Sequence, residues 1–464
     1  MNTEYNPFRI STIQKPEDFI GRKDVINYIC KAMSSIQNVS LVAERRSGAT
    51  SILRYLNHND TSHKLGLKEN HVTVYFDFQS LSGQATQFDF WYVIIRDVIR
   101  KIEQRKIFDI IECDEIKRIM RASQSDENVT YHAIDEIFYL FEKLKYNIHF
   151  LLDEFETTSI NPSFKNSFYQ NLRSLLTSSG NISLVTATRI DLSDLEMSVA
   201  DGLNSPLFNI FVMLNLGGFK EDEVSELIVN YFNKVDKDIS FAKKLIEQPY
   251  LYDITGYHPF FLQLFCYHIF NRLHYPEWPL GEAKLEAINS FERDAKSHFK
   301  FYCEMSSTLE KETLINFVTN GTVDEYIIKS LKRRNIIIDD KNDNNTNKYR
   351  LFSSVFKSWL LNPYVKNEIN SIHQEGTTKV SNINNPWKSG SFYLLVFVIV
   401  VATFAISSIH LSWYALPIVF IGALLAIPII GVFQSLNDGT MSEKGVLKVI
   451  IESYKLLPLL KNKE

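Results

Sequence analysis

The sequence predicts an α/β protein built on a parallel sheet, followed by a helical region, a small helix-and-hairpin unit and two membrane-spanning helices. Three observations predict it. Short β-branched apolar runs alternate with amphipathic stretches over the first half of the chain, as in parallel sheets covered on both faces. A glycine turn follows the first run and opens a helix, the order in which backbone amides meet an anion. No Asp, Glu, Lys or Arg occurs between Lys388 and Asp438, a length sufficient for two bilayer crossings.

Composition bounds the rest. The chain has 464 residues, which at roughly 100–200 residues per domain suggests two to four units. Hydrophobic residues are 45% and charged residues 22%, which excludes a largely disordered or fibrous chain. A net charge of −4 gives no whole-chain basic footprint for nucleic acid. Cys30, Cys113, Cys266 and Cys303 are far apart, with no C-x-x-C pair. That disfavours a disulfide scaffold or a zinc module and favours a reducing compartment. The opening MNTEYNPFRISTIQK lacks an apolar core, so no cleaved signal peptide is expected.

In chain order, Asn38–Ala43 is the first strand and enters the glycine turn. Val72–Phe78, Ile148–Leu152, Ile182–Thr188 and Ile210–Leu216 are the further strands, with helices between them at Phe88–Arg105 and Val129–Lys145. Residues 1–218 therefore form the sheet domain. Helices dominate 219–302. Residues 303–364 hold helices, a strand at Asn335–Asp339, a polar turn and a strand at Lys348–Phe352, which is the content of a winged helix. Residues 365–390 read as a polar linker.

Residues 391–433 read as a transmembrane hairpin. Phe392–Ile409 and Leu411–Phe433 give about 18 and 23 residues, roughly 27 and 34 Å of helix. Trp387, Tyr393, Trp413 and Tyr414 sit where interfacial aromatics belong. The alternative is a buried core hairpin. The first reading predicts a multi-pass protein of the inner, cytoplasmic membrane, with lipid as a partner and its other domains cytoplasmic. Residues 434–464 read as an amphipathic tail, with Val446, Val449, Ile450, Tyr454 and Leu457 at helical spacing.

Two motifs carry the chemistry. After the first strand comes Ala43-Glu44-Arg45-Arg46-Ser47-Gly48-Ala49-Thr50-Ser51, against the template G-x-x-x-x-G-K-[ST]. Gly48 and Thr50 match; Ala43 replaces the first glycine and Ala49 the lysine. Ser47, Gly48, Ala49, Thr50 and Ser51 are the candidate phosphate cradle. The second motif is an apolar strand ending in Asp153-Glu154. Asp153, with Thr50, is placed to hold Mg²⁺, and Glu154 to polarise an attacking water. Together they predict a P-loop NTPase core that takes a nucleotide, which the resemblance given below narrows to ATP or ADP. Losing the lysine removes a charge-assisted contact worth roughly 1.5–3 kcal/mol, more in the transition state. Binding is expected to outlast turnover, with Arg45 and Arg46 either replacing part of the charge or facing solvent or a partner. Alanine here is what both natural decay and a deliberate block of turnover leave behind.

In these and further segments the chain resembles the prokaryotic STAND-type branch of AAA-like P-loop ATPases. Besides the two motifs, Asn6-Pro7-Phe8 and Pro16–Arg22 resemble its opening box. Val185–Arg189 resembles its sensor strand, Ile254–Phe260 the turn of its helical lid, and Tyr349–Phe356 the end of its winged helix. The resemblance implies a lid over 219–302 and a winged helix over 303–364. It further implies that Ile20, Gly21, Arg22 and Pro259 flank an adenine, and that Thr188 or Arg189 senses the terminal phosphate. The function it implies is a signal-responsive, oligomerising ATP switch, of a kind that serves in antiviral defence, here with the hairpin as effector. Two alternatives stand beside it. One is a DNA-binding regulator reading through Lys329, Lys332, Arg333 and Arg334. The other is a scaffold with a decayed nucleotide site.

Overall fold

The computed structural model describes residues 5–11, 15–58, 65–80, 85–104, 116–119, 127–164, 166–197, 207–322, 324–340 and 348–365. Contacts divide the chain into units 1–373 and 374–464, and the described residues all fall in the first.

Five strands form one sheet: β1 (Asn38–Val42), β2 (His71–Asp77), β3 (Asn147–Asp153), β4 (Ile182–Thr188) and β5 (Phe211–Asn215), in the order β2-β3-β4-β1-β5. All pairings are parallel. The strands begin and end within about two residues of the apolar runs. Four of them are buried almost throughout, and only the edge strand β5 keeps exposed positions at Val212 and Met213. Parallel pairing needs a crossover between strands. Helix α1 (Lys23–Ser34) precedes β1, and the crossovers include α2 (Ala49–Asn57), α3 (Gln87–Gln104), α4 (Glu127–Lys143), α5 (Asn166–Ser178) and α6 (Leu192–Met197). One face of the sheet packs Val72, Phe150 and Leu184 against Trp91, Phe138 and Phe168. The other packs Val39, Leu41 and Val185 against Ile29, Ile52 and Leu53. Helices on both faces leave only the strand ends open, and ligands of such sheets bind at the carboxyl ends.

After β5 the chain is helical: α7 (Glu221–Asn233), α8 (Ile239–Ile246), α9 (Tyr250–Thr255), α10 (Pro259–Phe270) and α11 (Gly281–Glu304). Then come α12 (Thr308–Asn320), α13 (Glu325–Arg333), an antiparallel pair β6 (Ile337–Asp339) and β7 (Tyr349–Leu351), and α14 (Ser354–Leu361). One continuous buried cluster runs through all of this, from Val224 to Val365. It also takes in Phe8, whose ring lies 5.2 Å from that of Tyr231 and 5.9 Å from Phe270. Asn6 anchors the same segment through Tyr267 O and Asn271 Oδ1, at 2.9 and 2.7 Å.

The expected fold class and localisation need correction in one respect. No helix among the described residues is long and apolar enough to cross a membrane. Among the described residues the parallel-sheet α/β fold stands without transmembrane helices, and the two-span inner-membrane placement is not supported. The hairpin at 391–433 and the tail at 434–464 lie outside the described residues, as do most of the linker and the hairpin loop 341–347.

Candidate functional site

The site is set by sheet register. Val42 pairs with Thr188 on one side and Asn215 on the other, and Leu152 with Thr186. The ends of β1, β3 and β4 therefore stand together, although β4 separates the glycine-turn strand from the acidic strand. Ala43 N donates to Thr188 O at 2.9 Å and fixes where the turn leaves the sheet.

Arg46 (φ 69°) and Gly48 (φ 96°) are both left-handed, and successive amides around such residues form an anion-binding concavity. A Cβ built on Gly48 would meet nothing within 4 Å, so the space above it is open. No side chain caps the start of α2. The first N–H groups of that nine-residue helix are left for a ligand or water.

Against this turn stands Asp153. Its Oδ2 accepts from Tyr75 OH at 2.9 Å and its Oδ1 from Glu154 N at 3.1 Å, and the Thr50 hydroxyl also bonds it. Burial pushes its carboxyl upward, against these hydrogen bonds. Glu154 has a left-handed backbone (φ 51°). Burial, with the like charges of Glu156 and Asp153, pushes its carboxyl up to about 7, while Arg189 and Arg45 favour its charged form. A carboxyl poised there is matched to base catalysis near neutral pH. Arg189 is held by Glu156, Nε to Oε1 at 2.7 Å. Thr188 donates to Ile190 O at 2.7 Å.

A cavity of about 510 Å³ joins these groups. Ile20, Arg22, Ser47, Gly48, Ala49, Thr50, Ser51, Asp153, Glu154, Thr188, Arg189 and Pro259 all line it; Gly21 alone of the expected residues does not. The volume lies in the range of small-molecule and cofactor sites. Its apolar lining includes Phe19, Ile20, Phe219, Pro259 and Phe260. Gly21 (φ 78°) lies against Phe219 and Glu223, where a Cβ would come within 3.2 Å of both. Arg22 is a clamp more than a ligand. It donates to Ser47 O at 3.2 Å, Gly217 O at 2.7 Å and Gly218 O at 3.4 Å. Its guanidinium lies 4.9 Å over the Phe219 ring.

Several residues in or behind the cavity lining were not legible in the sequence. His258 ends the turn before α10 and is buried, its Nε2 3.3 Å from Ser47 Oγ; burial pushes its pKa down to about 3. Tyr302 donates to Arg45 O at 3.0 Å. Glu44 is paired with Arg334, Nε to Oε2 at 2.6 Å. Arg334 also reaches Glu310 Oε2 at 3.1 Å and Ser306 Oγ at 2.9 Å. The adjacent Arg333 pairs with Asp191, beyond the end of β4, and Lys332 with Asp339 at 2.6 Å. Three of the four basic residues of the expected DNA-reading helix are thus ion-paired within the chain. Only one signal pointed to these groups: a charged residue next to a motif, as Glu44 and Glu156 are.

Among the described residues no group of three or more His, Cys, Asp or Glu is arranged to hold a metal. Thr50 and Asp153 supply hard oxygen donors of the kind Mg²⁺ takes together with phosphate and water.

Residues 99–323, just under half of the chain, match the family described as Novel STAND NTPase 2. The glycine turn precedes the matched segment, which contains Asp153 and Glu154. No curated protein matches the chain. Among solved structures, the chain is similar to the Walker-type ATPase PABY2304 of Pyrococcus abyssi. The two are 15% identical with a TM-score of 0.49, over 76% of this chain and 99% of that one. It is also similar to the Aeropyrum pernix ORC2 protein in its ADPNP-ADP complexes, at 12% identity and a TM-score of 0.47, over 80% and 99%. The parallel sheet and the glycine turn at the end of β1 are those of a P-loop NTPase, and residues 99–323 are similar to the STAND family named above.

Proposed function

We propose that the chain is an adenine-nucleotide switch whose cavity holds ATP or ADP, and that Ala49 leaves binding stronger than turnover. The observation that carries this is the cavity itself. It brings an open anion cradle, a carboxylate pair and an apolar wall into one space. In this reading the phosphate tail lies on the amides of residues 46–51 and the start of α2. The base is covered by Ile20, Phe219 and Pro259.

Thr50 and Asp153 would hold Mg²⁺, which neutralises charge on the phosphate oxygens. Glu154 takes a proton from the attacking water. Arg189, now held by Glu156, is placed to answer the terminal phosphate. The missing lysine lowers the rate most, because phosphoryl transfer is catalysed almost wholly by positioning and charge.

The helices from 219 to 302 act as a lid and those from 303 to 364 as a winged helix. The Arg334–Glu44 pair ties that winged helix to the phosphate loop. A signal that breaks this tie would free the unit to move and the chain to assemble with further copies.

The test is calorimetric titration of ATP, ADP and GTP into the chain and its Ala49→Lys variant, with phosphate release followed in both. We expect both to bind adenine nucleotides and the lysine variant to bind more tightly and turn over faster. If neither binds a nucleotide, the reading fails.

A further inference from the structure

We propose that Arg45 and Arg46 supply the positive charge that the phosphate loop lacks at position 49, so that two guanidinium groups bind the phosphate tail in place of one ammonium. This rests on the cavity being a nucleotide site. It goes further by assigning the residues that carry affinity.

Positive charge around the cavity is unevenly paired. The cavity is lined by Arg9, Arg22, Arg45, Arg46 and Arg189. Three of these are engaged. Arg9 is paired with Asp18 at 2.9 Å, Arg22 is bonded to three carbonyls, and Arg189 is paired with Glu156. Among the acids, Glu44 is satisfied by Arg334. Among the described residues neither Arg45 nor Arg46 has a carboxylate partner. They are the unneutralised cations of the cavity, and they lie in the same crook as the open space above Gly48.

Both are held in a way that leaves their donors available. Arg45 lies 4.7 Å over the ring of Phe301, on α11, and Arg46 5.3 Å over that of Phe260, on α10. Arg46 also reaches Ile10 O at 3.4 Å. Stacking uses the face of a guanidinium and leaves its in-plane N–H groups free to donate, and that planar fork suits phosphate oxygens. Arg45 is also close enough to Glu154 to favour its charged form, so it lies within electrostatic range of the carboxylate beside which a terminal phosphate would sit. A lysine cannot stack and fork in the same way, which distinguishes this arrangement from a mere change in the position of one charge. Because the stacking rings belong to α10 and α11, phosphate held by these arginines also ties the helical region to the loop.

The experiment titrates ATP, ADP and AMP into the full chain, an Arg45→Gln/Arg46→Gln variant and an Arg45→Lys/Arg46→Lys variant. Each lost charge-assisted contact is expected to weaken binding by about ten- to a hundredfold. ATP affinity therefore falls most in the glutamine pair, ADP less and AMP least, and the lysine pair, which keeps the charge but loses the stacked planar fork, falls between the parent and the glutamine pair. Adding Ala49→Lys to the glutamine pair restores ATP binding. Glutamine-pair affinity for ATP within twofold of the parent overturns the proposal. So does a parallel loss of ATP and AMP, which would assign the arginines to packing. So does failure of Ala49→Lys to restore binding. Absence of any nucleotide binding in the parent chain is a separate result that removes the functional reading itself, and this proposal with it.

Discussion

Replacing Arg334 with methionine tests whether the end of α13 is locked to the phosphate loop. The Arg334 side chain is 10% exposed, Glu44 2% and Glu310 9%. Arg334 donates to Glu44, Glu310 and Ser306 at 2.6, 3.1 and 2.9 Å, and to Tyr302 O at 3.3 Å. Methionine keeps much of the stem but leaves two carboxylates buried without their cation, a loss of about 3–5 kcal/mol in buried pairs. The residual partners favour the lower end. Glu44 keeps the Arg45 amide at 2.9 Å, and Glu310 keeps the Ser330 hydroxyl at 2.7 Å. We therefore expect about 3 kcal/mol. The assay is urea unfolding of the parent, Arg334→Met, Glu44→Gln and the double variant. The double variant should lose less than the sum of the singles, with a coupling of about 1–3 kcal/mol. Additive singles, or a loss below about 1 kcal/mol for Arg334→Met, would refute the lock.

Three other outcomes are expected of the same fold. In an Ala49→Lys background, phosphate release should rise with pH through about 7, because burial, Glu156 and Asp153 hold the Glu154 proton up to that range. Adding Glu156→Gln removes a like charge and should move the midpoint down; a flat profile or an upward shift would count against Glu154 as base. His258 is held neutral by burial down to about pH 3, so between 6.5 and 3 the unfolded chain binds a proton that the folded chain refuses. Stability therefore falls as pH drops, and His258→Gln should cut the loss between pH 7 and 5 by about 2 kcal/mol, measured by urea titration at both values. Gly256 has φ 55°, and a Cβ there would lie 2.4 Å from Phe352 O. Gly256→Ala should cost about 2–4 kcal/mol from crowding and left-handed strain, read as a lowered thermal midpoint; an unchanged midpoint would mean the turn can shift away from Phe352.

The strands and the two motifs could be read from the chain alone because their causes are local. Ile182–Thr188 is a run of residues that fits only a strand buried on both faces. The order of strand, Gly48 turn and helix says where amides collect. Asp153 and Glu154 end an apolar run that could not continue into water. What followed from sequence alone is therefore the α/β class, the glycine turn between β1 and α2 and the carboxylate pair, each produced by neighbours in the chain. Tertiary structure decided the rest. Only the order β2-β3-β4-β1-β5 brings Thr188 between the turn and the acidic strand. Only packing takes Arg334 across 290 residues to Glu44, turning an apparent basic surface helix into an internal ion-pair lock. Only it aligns His258 and Tyr302 with the loop and lays Arg45 and Arg46 on the rings of Phe301 and Phe260. Charge pairing and stacking act through space, so their partners leave no periodic mark along the chain.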